Sequence, residues 1–247
     1  MDRISYPDAR GPENTLLYAI GDVHGRLDLL AEMHAQIAAD IMRVRPADWR
    51  IVHLGDYVDR GPDSRGVIEF LMRQTAMDGR NISLAGNHDI GFLDFLAEPQ
   101  ADGLFALYGG VQTAQSYGVE LDLADMAGFG ESCRALAAAV PRSHVDFLRG
   151  LGRCASFGDF FFCHAGIRPG VPLAAQDPQD LTWIREEFLF DSRLHPKVVV
   201  HGHTPVPEPE VLANRVNVDT GAFATGRLTA LVVDGAEKQL LTVEEAL

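Results

Sequence analysis

The sequence predicts an α/β fold, and three observations predict it. The first third repeats one unit, in which an apolar β-type run is followed by a glycine-containing loop and then a helical period. Five apolar runs end in clusters of Asp, Asn and His, and the last third returns to short strands. At 247 residues, 47% hydrophobic and 23% charged, the chain can bury a sizeable core, and we read residues 1–247 as one domain.

The first strand is Leu16 to Ile20, after which Leu27, Leu30, Ile37 and Ile41 recur at helical spacing. The second is Arg50 to Leu54, followed by Val67, Phe70 and Leu71 on a second helix, and the third is Asn81 to Ala85. From about residue 90 to 151 the pattern changes. Helical pieces such as Val111 to Tyr117 and His144 to Leu151 are broken by Gly109, Gly110, Gly118, Gly128, Gly130 and Pro141, which reads as a helical insertion or cap. Strands resume at Phe160 to Cys163, Lys197 to Val200, Val216 to Val218, Leu228 to Val233 and Gln239 to Val243, with Asp234-Gly235 turning the last two into a hairpin.

A formal net charge of −14 argues against a nucleic acid polymer or an anionic membrane as partner, and a small anionic substrate needs local cations. Cys133, Cys154 and Cys163 show no paired spacing, so a reducing compartment is expected. Met1 to Arg10 carries no apolar signal core, and the longest apolar run, Ala135 to Val140, is far short of the ~20 residues that span a bilayer. The expected location is cytoplasmic.

The strand-end clusters are GDVHG (residues 21–25), GDYVDRG (55–61), GNHD (86–89), HAG (164–166) and HGHT (201–204). Taken singly, Asp22-x-His24 or Asn87-His88 could be turn chemistry. GDYVDRG specifies six positions, a chance match rarer than about one in 10⁵, and five clusters in order, each after a strand, point to one rim. Asp22, His24, Asp56, Asn87, His164 and His203 together form a mixed N/O set suited to Mn²⁺, Fe or Zn²⁺ rather than Ca²⁺. Six ligands exceed the need of one ion. Two ions about 4 Å apart suit displacement at phosphorus.

These residues resemble the metallophosphoesterases, and within them the bacterial phosphoprotein phosphatase branch, from about Leu16 to Val233. The resemblance implies a four-layer αββα fold, a central β-sandwich flanked by helices, with two divalent ions at the strand ends. Mn²⁺ is the first choice, with Fe, Zn²⁺ or Co²⁺ as alternatives. By the same resemblance Asp22 and His24 are ligands of the first metal, Asp56 bridges both, and Asn87, His164 and His203 hold the second. His88 matches the general acid, Asp59 the carboxylate that orients it, and Arg60 and Arg185, with Asn87, the phosphate-binding groups. The arginine fork suits a phosphate dianion.

The implied activity is a phosphomonoesterase, foremost one acting on phosphoserine or phosphothreonine in protein, or on a small phosphomonoester. Pro205 stands where many superfamily nucleases carry a second histidine, which disfavours DNA processing. GNHD with the later HAGI also resembles the diadenosine tetraphosphate hydrolases; because those relatives typically lack an acid at the position of Asp59, dinucleoside polyphosphate hydrolysis ranks second. A non-catalytic scaffold ranks last, since His88, Asp59, Arg60 and all six candidate ligands are present.

Among the remaining residues, His53 reads as core, and His201 as support for the ligands from the opposite strand face. His34, His144 and His195 read as surface or insertion residues. Asp219 is either a partner of a ligand histidine or a turn former. Cys163 and the Phe160 to Phe162 run read as buried strand, and Trp183 and Phe188 as packing beside Arg185 or as a base-stacking pair.

Overall fold

Register brings the clusters together. A computed structural model describes residues 3–245; the first and last two positions of the expected 1–247 domain, including the start of the Met1 to Arg10 stretch, lie outside the described residues. Strands β1 (Thr15–Ile20), β2 (Asp48–His53) and β3 (Asn81–Ser83) run parallel, with helices α1 (Leu27–Val44) and α2 (Ser64–Met77) as crossovers. Ile20 pairs with His53 and His53 with Ser83, so the loops that follow leave the sheet at one level.

The helical run that follows opens inside the GNHD cluster itself: α3 (Asn87–Ala97), α4 (Leu104–Leu107), α5 (Gly110–Ser116), α6 (Met126–Ala139) and α7 (Arg142–Arg149). Next come β4 (Cys154–Phe157), β5 (Phe160–Cys163), the short helices α8 (Pro178–Trp183) and α9 (Glu186–Leu189), β6 (Val198–His201), β7 (Glu210–Val211), β8 (Arg215–Asn217), α10 (Ala222–Thr225), β9 (Arg227–Asp234) and β10 (Glu237–Glu244). Gly235 takes the left-handed conformation (φ 56°) that the β9–β10 hairpin requires.

The strands form two sheets, in the orders β10-β9-β1-β2-β3 and β4-β5-β6-β8-β7. Side-chain alternation then builds four layers. Leu17, Ala19, Val52, Phe160, Phe162, Val198 and Val200 pack between the sheets. Leu16, Tyr18 and Ile20 face outward onto α1, α2 and the inserted helices, while Phe161, Cys163 and Val199 face outward onto α8 and α9. This is the αββα arrangement the resemblance implied. No helix among the described residues is long and apolar enough to cross a membrane.

Several histidines differ from expectation. His144 and His195 are buried rather than exposed, the first 2.8 Å from Tyr117 Oη and the second stacked on Phe188. His34 is half-buried against Phe70, its Nε2 2.9 Å from Nε2 of the core residue His53. Cys154 and Cys163 stand opposite each other across β4 and β5 as free thiols, a neighbourhood their spacing did not signal.

Burial pushes His53 down to about 3 and His34 down to about 4, so both stay neutral when folded and take up a proton on unfolding. Their contribution is complete above the ordinary value of 6.5 and is lost as pH falls from there toward the folded values. Each adds a slope of about 1.4 kcal/mol per pH unit in that window. Denaturant unfolding of the metal-free protein and of a His34→Gln/His53→Gln variant at pH 7, 6 and 5 should show the parent losing stability relative to the variant as pH falls, and parallel profiles would exclude this account.

Candidate active site

The six candidate ligands are buried at the carboxyl ends of the parallel strands of both sheets. Asp22, after β1, accepts the backbone N–H of His203, after β6, at 3.1 Å, joining the two sheets. His24 Nδ1 lies 2.7 Å from Val58 O, and its Nε2 faces Asp56 Oδ2 at 3.4 Å. His164 Nδ1 lies 3.1 Å from Leu54 O, leaving Nε2 2.9 Å from Asn87 Oδ1 and 3.4 Å from Asp56 Oδ1. His203 Nδ1 lies 2.8 Å from the same Asn87 oxygen, and its buried Nε2 has no hydrogen-bond partner among the described residues.

This donor set fits metal ions. With Nδ1–H of His24 donating to the Val58 carbonyl, its Nε2 is a lone pair. Burial pushes His24 down to about 3 and His203 down to about 2, so these imidazoles stay neutral. Lone pairs, carboxylates and an amide oxygen therefore face one another, an arrangement that N/O-binding cations satisfy and hydrogen bonds do not. Burial, Asp219 and Asp56 hold the Asp22 carboxyl well above its ordinary range, the signature of negative charge gathered without enough cation. Two groups have all their donor atoms within 4.8 Å, His24–Asp56–His88 and Asp56–His164–His203, and Asp56 belongs to both.

His88 and Asp59 meet as a pair, Nδ1 donating to Oδ2 at 2.6 Å. Thr113 of α5 donates to the other Asp59 oxygen at 2.9 Å, so the insertion buttresses the pair. Arg60 lies between two imidazoles, Nη1 3.1 Å from His24 Nε2 and Nη2 2.9 Å from His88 Nε2. Its guanidinium lies over the ring of Phe223 at 4.8 Å, and its backbone N–H donates to Gly109 O at 3.1 Å. Arg185 is exposed at the rim, 3.4 Å from Thr204 Oγ1, and Trp183 meets the His203 ring edge-on at 6.1 Å.

Backbone strain concentrates at the same place. His24, Asp56, Asp59, Arg60 and His203 all have φ between 42° and 71°, a region non-glycine residues avoid. Gly61 follows because a Cβ there would stand 2.0 Å from His24 O.

Sequence reading missed three contributors. Asp89 accepts the backbone N–H groups of Asp56, Tyr57 and Gly86 at 2.8 to 2.9 Å, locking the loops after β2 and β3 together. Thr113 and Phe223 lie outside every motif. Other expectations are corrected. His201 does point to the opposite face of its strand, but there it meets Phe188 and Arg215 rather than supporting the ligands. Of the two outcomes expected for Phe188, packing holds: it is fully buried and cannot stack on a ligand. Asp219 accepts the Gly221 N–H at 2.9 Å, as a turn residue does, while its charge adds to that of Asp22.

The insertion does reach the site. With α8 it walls a cleft of about 340 Å³ that runs outward from Asn87 between Ile90, Asp94, Phe95, Glu98, Leu104 and Trp183.

A fold of two sheets between helical layers, with N/O ligands at the strand ends, defines a phosphoesterase class, and the calcineurin-like phosphoesterase family model matches residues 16–226. The chain belongs to that family. Its curated relatives include bis(5'-nucleosyl)-tetraphosphatase PrpE (asymmetrical) of Anoxybacillus flavithermus, 25% identical over 235 residues, with 86% of this chain and 88% of the relative covered. The protein of that name from Bacillus cereus (strain 03BB102) is 26% identical over 239 residues, with the same coverage. Among solved structures, a protein provisionally assigned as a diadenosine tetraphosphatase aligns with TM-score 0.64 at 20% identity, covering 94% of this chain and 98% of its own. A serine/threonine phosphatase from Saccharomyces cerevisiae aligns at 0.56 and 13% identity, covering 98% and 86%. At these identities the structures speak for the fold alone.

Proposed function

We propose that this protein is a two-metal phosphoesterase that hydrolyses dinucleoside polyphosphates. The observation that carries the reading is the convergence of Asp56, Asn87, His164 and His203 at the inner end of a cleft bounded by Trp183, in a chain whose curated relatives bear a tetraphosphatase name. This reverses the order read from sequence, where phosphomonoesters ranked first.

Asp22, His24 and Asp56 would hold one ion and Asp56, Asn87, His164 and His203 the other, Mn²⁺ first with Fe, Zn²⁺ or Co²⁺ as alternatives. Bound there, divalent ions polarise phosphoryl oxygens and lower the pKa of water. The chain supplies the rest. Arg60 carries a fork for two phosphate oxygens, and Arg185 adds a second cation at the rim. With Nδ1 held by Asp59, His88 would hand a proton from Nε2 to the leaving oxygen once Arg60, 2.9 Å from that nitrogen here, turns its fork to the phosphate. Burial works against that charge, but Asp56 and Asp59 outweigh it and hold the imidazole above its ordinary value.

The second reading, hydrolysis of phosphoserine, phosphothreonine or a small phosphomonoester, has one observation in its favour. An alkoxide leaving group needs a proton donor far more than a nucleotide does, and the His88–Asp59 pair is built for donation. A side-by-side kcat/KM of the Mn²⁺-loaded protein on diadenosine tetraphosphate and on a phosphoserine peptide, with Asp56→Asn as control for contaminants, separates the two. We expect at least a tenfold preference for the dinucleotide, about 1.4 kcal/mol of transition-state binding. The opposite preference would transfer the assignment to the second reading.

A further inference from the structure

The cleft that leaves the site carries a charge pattern that its neighbour, the phosphate site, does not. Along α3, Asn87, Ile90, Gly91 and Asp94 recur at helical spacing and, with Glu98 just past its end, share one wall of the cleft. At 1.5 Å per residue, Asp94 stands about 10 Å beyond Asn87 along the axis. Both Asp94 and Glu98 are exposed, and no Lys or Arg lines the cleft. Phe95, Leu104 and Phe105 supply apolar walls, Trp183 an aromatic one, and Gln100 and Gln179 amides. At the inner end, Asn87 is buried and its Nδ2 donates no hydrogen bond among the described residues, while its Oδ1 faces His164 and His203.

Two carboxylates without a cation repel a phosphate chain. They accept from hydroxyl and amino groups, as acidic side chains do from ribose hydroxyls in dinucleotide sites. A space of about 340 Å³ with one aromatic wall is of the size and character of a small-molecule site rather than an extended peptide groove. We propose that this cleft binds the nucleoside end of the substrate, with the base against Trp183 and with Asp94 and Glu98 accepting from the ribose hydroxyls. The phosphates stay at Arg60 and Arg185 and do not enter. This rests on the phosphoesterase reading above but names residues that reading does not use.

The test separates the two. In a Trp49→Phe background, where Trp183 is the remaining tryptophan, adenosine is titrated into metal-free protein and fluorescence recorded. Adenosine should quench Trp183, and 2',3'-dideoxyadenosine, or adenosine with Asp94→Asn/Glu98→Gln, should bind at least fivefold more weakly. In the Mn²⁺-loaded protein the same double variant should lower the ratio of kcat/KM on diadenosine tetraphosphate to that on p-nitrophenyl phosphate at least tenfold. Absence of adenosine quenching, a ratio within twofold of the parent, or a selective loss on a Lys/Arg-flanked phosphopeptide instead would each overturn the assignment. A protein that binds adenosine through Asp94 and Glu98 yet hydrolyses only phosphomonoesters would sink the dinucleotide reading and support the cleft.

Discussion

Replacing His88 with Ala is expected to slow hydrolysis of alkyl phosphates by about 10² to 10³, and of p-nitrophenyl phosphate by less than about tenfold, because only the alkoxide needs a proton. The structural basis is the 2.6 Å contact between His88 Nδ1 and Asp59, which fixes the ring and leaves Nε2, now beside Arg60, as the nitrogen for a leaving group. A series of aryl phosphates would report the change directly: the dependence of kcat/KM on leaving-group basicity should steepen in the variant. An equal loss across the series would remove the proton-donor role and leave His88 as a holder of Arg60. Diadenosine tetraphosphate should behave like the aryl esters, since a nucleotide departs as a weak base.

The second large effect has two signs. Asp22→Asn keeps an oxygen for the His203 N–H but removes a carboxylate crowded by burial, Asp219 and Asp56. Activity should fall by about 10³, beyond the 10- to 100-fold typical of residues behind the ligands. The metal-free variant should nevertheless be more stable than its parent by about 1–2 kcal/mol, roughly 2–8 °C in Tm for a chain of this size. The sign follows because a carboxyl whose folded value is raised destabilises the fold wherever it is forced to ionise, that is, above the ordinary carboxylate range. Thermal unfolding at pH 7 in chelator tests this. A variant less stable than the parent would show that Asp22 is compensated without metal.

How much of this was legible in the sequence follows the physics. The candidate clusters could be read because each sits at a strand end, where apolar alternation stops and polar residues accumulate, and the six candidate residues lie together in the structure. The partition of the strands into two sheets could not, since pairing is set by long-range packing; the Leu17 and Phe162 faces meet across the sandwich without any local signal. Nor could β4, whose residues alternate between exposed and half-buried. Asp89 was in view within GNHD, but its service to three backbone N–H groups depends on where the loop after β2 passes. Phe223 and Thr113 act from segments remote in sequence. The burial of His144 and His195 was misjudged for the same reason: helical and loop positions take their environment from what packs over them.

The hydrogen bond from His203 to Asp22 spans 181 positions, and Asn87 reaches His164 across 77 and His203 across 116. Contacts this distant carry a large loop-closure cost and form late. During synthesis, the two candidate ligand groups cannot both be complete until the chain beyond residue 203 has left the ribosome. Completion of the candidate site is thus tied to completion of the second sheet, and ions held there would act as a clamp between two halves made seconds apart.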